Sequence, residues 1–112
     1  MAITIQSLNT LRTYLNGVMD RADDHGRNVN EIALALIGGV IWKSTSDVQV
    51  KEYNGNPANI LWMEVGDTRY CFAYEHGTQS IEIRLNSIKG SVLFRFTNAT
   101  PIADVKKFFE SL

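Results

Sequence analysis

Apolar residues recur every three or four positions in the first quarter of the chain, the spacing of a helix that buries one side. This pattern predicts a helix from Ser7 to about Asp24, and Gly26 can adopt the left-handed conformation that ends it. The link to the next apolar segment is short, so the first two helices should fold back on each other as a hairpin. The apolar positions that define the first helix are Leu8, Leu11, Leu15, Val18, Met19 and Ala22.

A second helix is predicted from about Val29 to Trp42, with Asn28 and Glu31 at the spacing of a capping box. Apolar residues occupy most sides of this segment, which favours a position at the centre of the core. Glycine inside a helix costs ~1 kcal/mol relative to alanine, so small residues here need a compensating contact. The expected contact is the close approach of a neighbouring helix to Ala35, Gly38 and Gly39.

Beyond residue 46 the apolar period falls from about 3.6 residues to 2, the period of a strand with one buried face. Turns rich in glycine, asparagine and aspartate divide this part of the chain into short segments. Because the connections are short, successive strands should be antiparallel neighbours in a meander. The predicted strands span about 47–53, 59–65, 68–74, 79–85 and 92–96.

The turns also predict how these strands pair. A two-residue turn at Gly66–Asp67 places Trp62 opposite Cys71, and a turn at the following "HG" places Phe72 opposite Ile81. Both pairings give one apolar face and one charged face, whereas a slip of one residue would mix the two. The apolar face should pack against helices, and the charged face should be open to water or to a partner.

A third helix closes the chain, with Thr100 as its N-cap and Pro101 at its first position. Its apolar side carries Ile102, Val105, Phe108 and Phe109. The elements together predict a two-layer α+β fold of order ααβββββα, in which a five-stranded antiparallel meander is covered on one face by three helices. No linker or repeat interrupts the sequence, so residues 1–112 are expected to form one domain.

Composition narrows the partners and the compartment. The net charge is −1 with a pI near 6.1, so no basic field favours nucleic acid and no nucleic-acid partner is expected. The most apolar run, Ile32 to Trp42, is too short to span a bilayer, and the first residues lack the pattern of a signal peptide. The single cysteine, Cys71, cannot form an internal disulfide. We therefore expect a cytoplasmic protein without a membrane partner.

The segment "DRADDHGRN", residues 20–28, is the densest group of polar residues that could carry chemistry. Asp20, Asp23 and Asp24 fall on the helix side opposite the apolar stripe, and His25 lies elsewhere, so they do not converge on a metal. The spacing also fails the EF-hand template. We interpret the segment as a polar joint between two helices. His76 is expected in an exposed turn with positive φ, and no catalytic, metal or cofactor-binding residue is assigned, so no cofactor is expected.

The charged face of the predicted sheet contains an anomaly at Trp62. One exposed apolar residue needs no explanation, but an aromatic residue with apolar neighbours and a charged surround is typical of an interface. A homo-oligomer that uses this face is predicted, and the alternative is a solvated face where arginine stems shield the tryptophan. The predicted interface residues are Ile60, Trp62, Cys71, Leu93, Glu64, Arg69 and Arg84.

Aromatic residues also allow a pocket between helices and sheet, for a small apolar ligand, although core packing explains them equally well. These residues are Tyr14, Tyr53, Tyr70, Tyr74, Phe94 and Phe96. The predicted function is a non-enzymatic accessory protein that binds partners and self-associates. The alternative is a small-molecule-binding protein, or a small enzyme, that uses such a pocket.

Three runs together cover nearly the whole chain and resemble a known family: "YLNGVMDRADDHGRNVNEIALAL", "NILWMEVGDTRYCFAYEHGTQSIEIR" and "FTNATPIADVKKFFESL". The family consists of small bacterial proteins of unknown function and is associated with mobile elements, including integron gene cassettes. The resemblance is one of general similarity and includes no motif of known chemistry. It implies an accessory, single-domain, cytoplasmic protein and supplies no catalytic or binding residues.

Overall fold

The computed structural model of the chain describes residues 2–5, 12–17, 19–20, 29–53 and 56–112. Its first helix, α1, is helical at residues 12–17 and 19–20. The three predicted helices and the five predicted strands are all present in the predicted order, which confirms the α+β class. The other elements are β1 (Ala2–Ile5), α2 (Ile32–Lys43), β2 (Val48–Tyr53), β3 (Asn56–Val65), β4 (Thr68–Glu75), β5 (Ser80–Leu85), β6 (Val92–Phe96) and α3 (Ile102–Glu110).

Strand β1 adds a sixth strand to the predicted meander. It pairs antiparallel with β2, where Ile3 lies opposite Val50, so the open sheet has the order β1-β2-β3-β4-β5-β6. This strand was not predicted because four residues are too few to reveal a period. The β-branched run Ile3–Ile5 was the one local signal for it. The two helices between β1 and β2 explain why these neighbours in the sheet are far apart in sequence.

The predicted register is confirmed between β3 and β4 and is wrong by two residues between β4 and β5. Trp62 lies opposite Cys71 as predicted, but Phe72 pairs with Ile83 instead of Ile81. The connection is a four-residue loop at 76–79, and the residue with positive φ is Gln79 (51°), not His76. Because side chains alternate with a period of two, a shift of two residues leaves every side chain on its predicted face.

The core lies between one face of the sheet and the three helices. Helices α2 and α3 pack so closely at Gly39 that a Cβ there would overlap the Phe109 ring, which confirms the expected helix approach at this glycine. The sheet contributes Val50, Leu61, Met63, Phe72, Ile83 and Phe96. The helices and the turn before α2 contribute Tyr14, Val29, Ile32, Leu36, Val40, Val105 and Phe109.

The start of α2 is capped by a side chain from the far end of the chain. The N–H groups of Glu31 and Ile32 donate to Asn98 Oδ1 at 3.0 and 2.9 Å, and Asn98 Nδ2 donates to Asn30 Oδ1 at 2.8 Å. The predicted capping box is not formed as expected, because Glu31 occupies the N-cap position without a side-chain cap. Asn28, its other member, lies outside the described residues.

The start of α3 also differs from the prediction. The N-cap residue is Pro101, without a side-chain cap, and the predicted cap Thr100 instead accepts a hydrogen bond from the Thr97 N–H at 3.0 Å. Val105 and Phe109 are buried and Phe108 is half-buried, whereas Ile102 is exposed. Thr100 therefore stabilises the β6–α3 turn, the same turn that carries Asn98.

Candidate functional site

Trp62 lies on the outer face of the sheet beneath an arginine. The Arg69 guanidinium carbon is 5.0 Å from the centre of the Trp62 ring, and Arg69 Nη2 donates to Gln49 Oε1 at 2.9 Å. These contacts hold the guanidinium over the ring, so Trp62 is half-buried. This arrangement favours the alternative in which an arginine shields the tryptophan, although the interface proposed for this face stays a prediction.

Cys71 lies between Trp62 and Arg84 on neighbouring strands and is 1% exposed. Burial raises the pKa of its thiol to about 11, against the opposing effect of the positive charges of Arg69 and Arg84. A buried, protonated thiol is a poor nucleophile. Cys71 therefore lies buried beneath the neighbouring side chains of the outer sheet face and presents little surface to a partner.

Of the predicted interface residues, Leu93 lies apart from Trp62 on the outer face. Leu93 is 44% exposed but lies on β6, three strands from β3. At a strand spacing of ~4.8 Å, these backbones are roughly 14 Å apart. Ile60 lies opposite Ala73 and is half-buried, and Glu64 lies opposite Arg69 as predicted. The apolar part of the predicted interface is thus divided between the middle of the sheet and its edge.

An ion cluster around a buried glutamate on the same face was not predicted. Glu82 is 2% exposed and accepts hydrogen bonds from Arg84 Nε at 3.1 Å and Arg95 Nε at 2.7 Å. Thr78 Oγ1 also donates to Glu82 Oε2 at 3.4 Å. Arg95 lies directly opposite Glu82 across β5 and β6. On the β4 side Glu82 lies opposite Ala73, whereas the predicted register, with Phe72 opposite Ile81, places it opposite Cys71. The sequence analysis predicts no register between β5 and β6, so it did not place Arg95 beside Glu82.

The two guanidinium groups determine the charge state of Glu82. Burial by itself raises the pKa of the carboxyl group, but the hydrogen bonds and positive charges of Arg84 and Arg95 outweigh burial and leave the pKa below its ordinary value. A carboxylate held ionised by two cations is unsuited to act as a general acid or base near neutral pH. No group of three metal-ligating side chains occurs within the described residues.

The largest exposed apolar side chains of the described residues include a set on α2. Leu34 is 58%, Ile41 is 61% and Trp42 is 56% exposed, and Gly38 lies among them. Residues at these spacings share one side of a helix, and we call Leu34, Gly38, Ile41 and Trp42 the α2 apolar face. The prediction that α2 is central to the core is therefore only half right. Sequence pattern could not reveal which apolar side would stay uncovered.

Two of the candidate aromatic pocket residues, Phe94 and Phe96, pack against other phenylalanine rings. Phe94 and Phe96 stack at 4.5 Å between ring centres, and Phe108 lies 5.7 and 5.5 Å from them. Tyr14 is buried, Tyr70 and Tyr74 are half-buried, and the side chain of Tyr53 lies outside the described residues. These contacts favour core packing, and a ligand between helices and sheet stays a prediction.

The two histidine-containing segments have different outcomes. His76 is exposed in the β4–β5 loop, where its ring meets Tyr74 edge-on at 4.8 Å between centres. Asp20 is exposed on α1, but the rest of the polar segment, residues 21–28, lies outside the described residues. The interpretation of that segment as a helix joint therefore stays a prediction.

The chain belongs to the family described as "Integron cassette protein VCH_CASS1 chain", because the family model matches residues 11–106. This match confirms the resemblance noted from the sequence. The description specifies no activity and no ligand. Among curated proteins, none matches the chain with significance. Within the described residues, no helix has both the length and the apolar content needed to cross a bilayer.

Proposed function

We propose that this integron cassette protein is a non-enzymatic interaction protein that self-associates in the cytoplasm. The observation that carries the proposal is the α2 apolar face, where three large apolar side chains are each more than half exposed. Exposed apolar residues that cluster on one element are typical of binding surfaces. Tryptophan is also enriched among residues that dominate binding energy.

The state of the reactive groups also supports a non-enzymatic role. The Cys71 thiol is buried with a raised pKa, and the Glu82 carboxylate is paired with two arginines. His76 is exposed on a loop, where its ring contacts the ring of Tyr74. An active site needs a base, nucleophile or electrophile at the surface of a cleft and within reach of another such group.

Sedimentation velocity over a wide range of protein concentrations tests the proposal. We expect the weight-average sedimentation coefficient to rise with concentration, since a weak self-association shifts with mass action. The rise should persist in high salt, because an apolar interface is not screened by ions. A coefficient that stays at the monomer value up to millimolar protein would refute self-association.

A further inference from the structure

We infer that the α2 apolar face binds the same face of a second copy of this chain, with the two α2 helices antiparallel and crossing at Gly38. The inference rests on the proposed self-association and specifies its surface and geometry. Three observations carry it: the unexplained glycine, the symmetry of the side chains around it, and the charges at the two ends of the helix; the size of the face determines how strong the association should be.

Gly38 has no packing role that the described residues reveal. A Cβ built on the adjacent Gly39 would overlap Phe109, so the fold of one chain explains that glycine. Apart from its two chain neighbours and the backbone of its own helix, no described atom lies within 4 Å of a Cβ built on Gly38. Glycine is disfavoured inside a helix relative to alanine. A second helix that crosses at Gly38 would use the missing side chain, because two backbones approach closely only over small residues.

The side chains around Gly38 are arranged so that the face complements itself. Leu34 lies four residues before Gly38, and Ile41 and Trp42 lie three and four residues after it. In an antiparallel pair that crosses at Gly38, Leu34 of one copy meets Trp42 and Ile41 of the other, and the same contact occurs again across the two-fold axis. A surface that fits its own copy in this way closes as a symmetric dimer.

Charges at the ends of α2 favour the antiparallel arrangement. Glu31 is exposed at the start of the helix and shares a side with Gly38, and Lys43 lies in the last turn, with its Nζ 5.3 Å from the centre of the Trp42 ring. In the antiparallel pair the start of each helix lies beside the end of the other. Each Glu31 therefore approaches the other copy's Lys43, whereas a parallel pair would bring like charges together.

The size of the face predicts a weak dimer. A helix of twelve residues is ~18 Å long and ~10 Å wide with its side chains. One such helix offers much less than the ~800 Å² per partner of a standard stable interface. We therefore expect a dimer that dissociates on dilution, with a dissociation constant near the micromolar range.

Disulfide trapping of Gly38→Cys tests the geometry. In the crossing pair the two new thiols face each other within the short Cα separation that a disulfide requires. We expect rapid formation of a covalent dimer under mild oxidation. Lys107→Cys, on the exposed side of α3, is the matched control and should react slowly. Cys71 is buried and should give no dimer in the wild-type protein.

Charge substitutions measured by sedimentation complete the test. Leu34→Glu and Trp42→Glu should each weaken association at least tenfold, whereas Trp62→Glu on the outer sheet face should leave it unchanged. All three variants are checked for folding by circular dichroism. Wild-type protein that stays monomeric overturns the proposed function itself. This inference alone is overturned if the wild-type protein associates, both α2 substitutions leave association unchanged, and Gly38→Cys forms a disulfide dimer no faster than Lys107→Cys. Loss of association in Trp62→Glu would then identify the outer sheet face as the interface.

Discussion

Replacing Asn98 with alanine should destabilise the fold by separating the start of α2 from the turn between β6 and α3. The Asn98 side chain accepts hydrogen bonds from two N–H groups at the start of α2 and donates one to Asn30. The first N–H groups of a helix have no partner within the helix, so they depend on such a side chain or on water. Here the cap comes from a position 66 residues beyond Ile32.

The expected loss of stability follows from the surroundings of the two N–H groups that donate to Asn98. The Glu31 N–H is exposed, so water can replace the lost acceptor at little cost. The Ile32 N–H is partly buried, and a buried donor left without a partner costs ~1–3 kcal/mol. Loss of a helix cap costs ~0.5–2 kcal/mol in other proteins. We therefore expect Asn98→Ala to lower the free energy of unfolding by about 2 kcal/mol. For a domain of this size, that loss corresponds to a decrease of about 8 °C in Tm.

Urea denaturation followed by circular dichroism measures the loss, and Asn98→Asp is the matched control. Aspartate keeps an oxygen that can accept both N–H groups, and its negative charge is favourable at a helix start. Among the hydrogen bonds described above, it loses the one to Asn30, so most of the stability should remain. Equal losses for the two substitutions would contradict capping as the cause, and so would an unchanged stability of Asn98→Ala.

Three further predictions concern the two helix glycines, Glu82 and Cys71. Gly39→Ala should destabilise the protein by ~1–3 kcal/mol because its methyl group overlaps the Phe109 ring. Gly38→Ala, in contrast, should stabilise the monomer by ~0.4–1 kcal/mol. Urea denaturation of dilute protein measures both changes, and a less stable Gly38→Ala than Gly39→Ala would refute the packing argument. Glu82→Gln should cost ~1–3 kcal/mol at pH 7. The pKa of Glu82 is lowered in the folded protein. The stability difference between Glu82→Gln and wild type should therefore stay constant above the pKa of Glu82 in the unfolded chain, and shrink as the pH falls through its pKa in the folded protein. A difference that does not change from pH 7 to pH 3 would contradict the ion cluster. Burial raises the pKa of Cys71 to about 11, so the thiol of the native protein should resist labelling at pH 8. The protein should also lose stability between about pH 9 and 11, and this loss should be absent in Cys71→Ala. Rapid labelling of the native protein would show that the thiol is accessible.

The sheet was predictable where short-range chemistry determines it. The turn at Gly66–Asp67 contains a glycine with φ of 61°, and a two-residue turn leaves one possible register for the strands beside it. The next connection could be read as two or four residues, since "HG" and "HGTQ" both join strands with the same faces. Periodicity alone cannot separate registers that differ by two, so the β4–β5 register was predicted wrongly while every residue kept its face.

The features that the sequence did not reveal depend on contacts between distant segments. Asn98 caps a helix that lies far away in the sequence, and nothing near Asn98 specifies that role. Arg95 becomes a partner of Glu82 only when β6 aligns with β5 in the observed register. By contrast, the small residue at Gly39 correctly indicated a close helix contact because the cost of glycine in a helix is a local quantity.

The apolar character of α2 on most of its sides connects the fold to the proposed function. In a two-layer domain, a helix has the sheet on one side and its neighbouring helix beside it, so a third side faces outward. A helix that is apolar all round is expected to be buried all round. The outward side of α2 nevertheless carries Leu34, Ile41 and Trp42 in place of the charged residues that exposed helix sides usually carry. The apolar side chains of α2 are therefore more than one chain buries. The spacing of Leu34, Ile41 and Trp42 around Gly38 fits the α2 helix of a second copy, which would bury them.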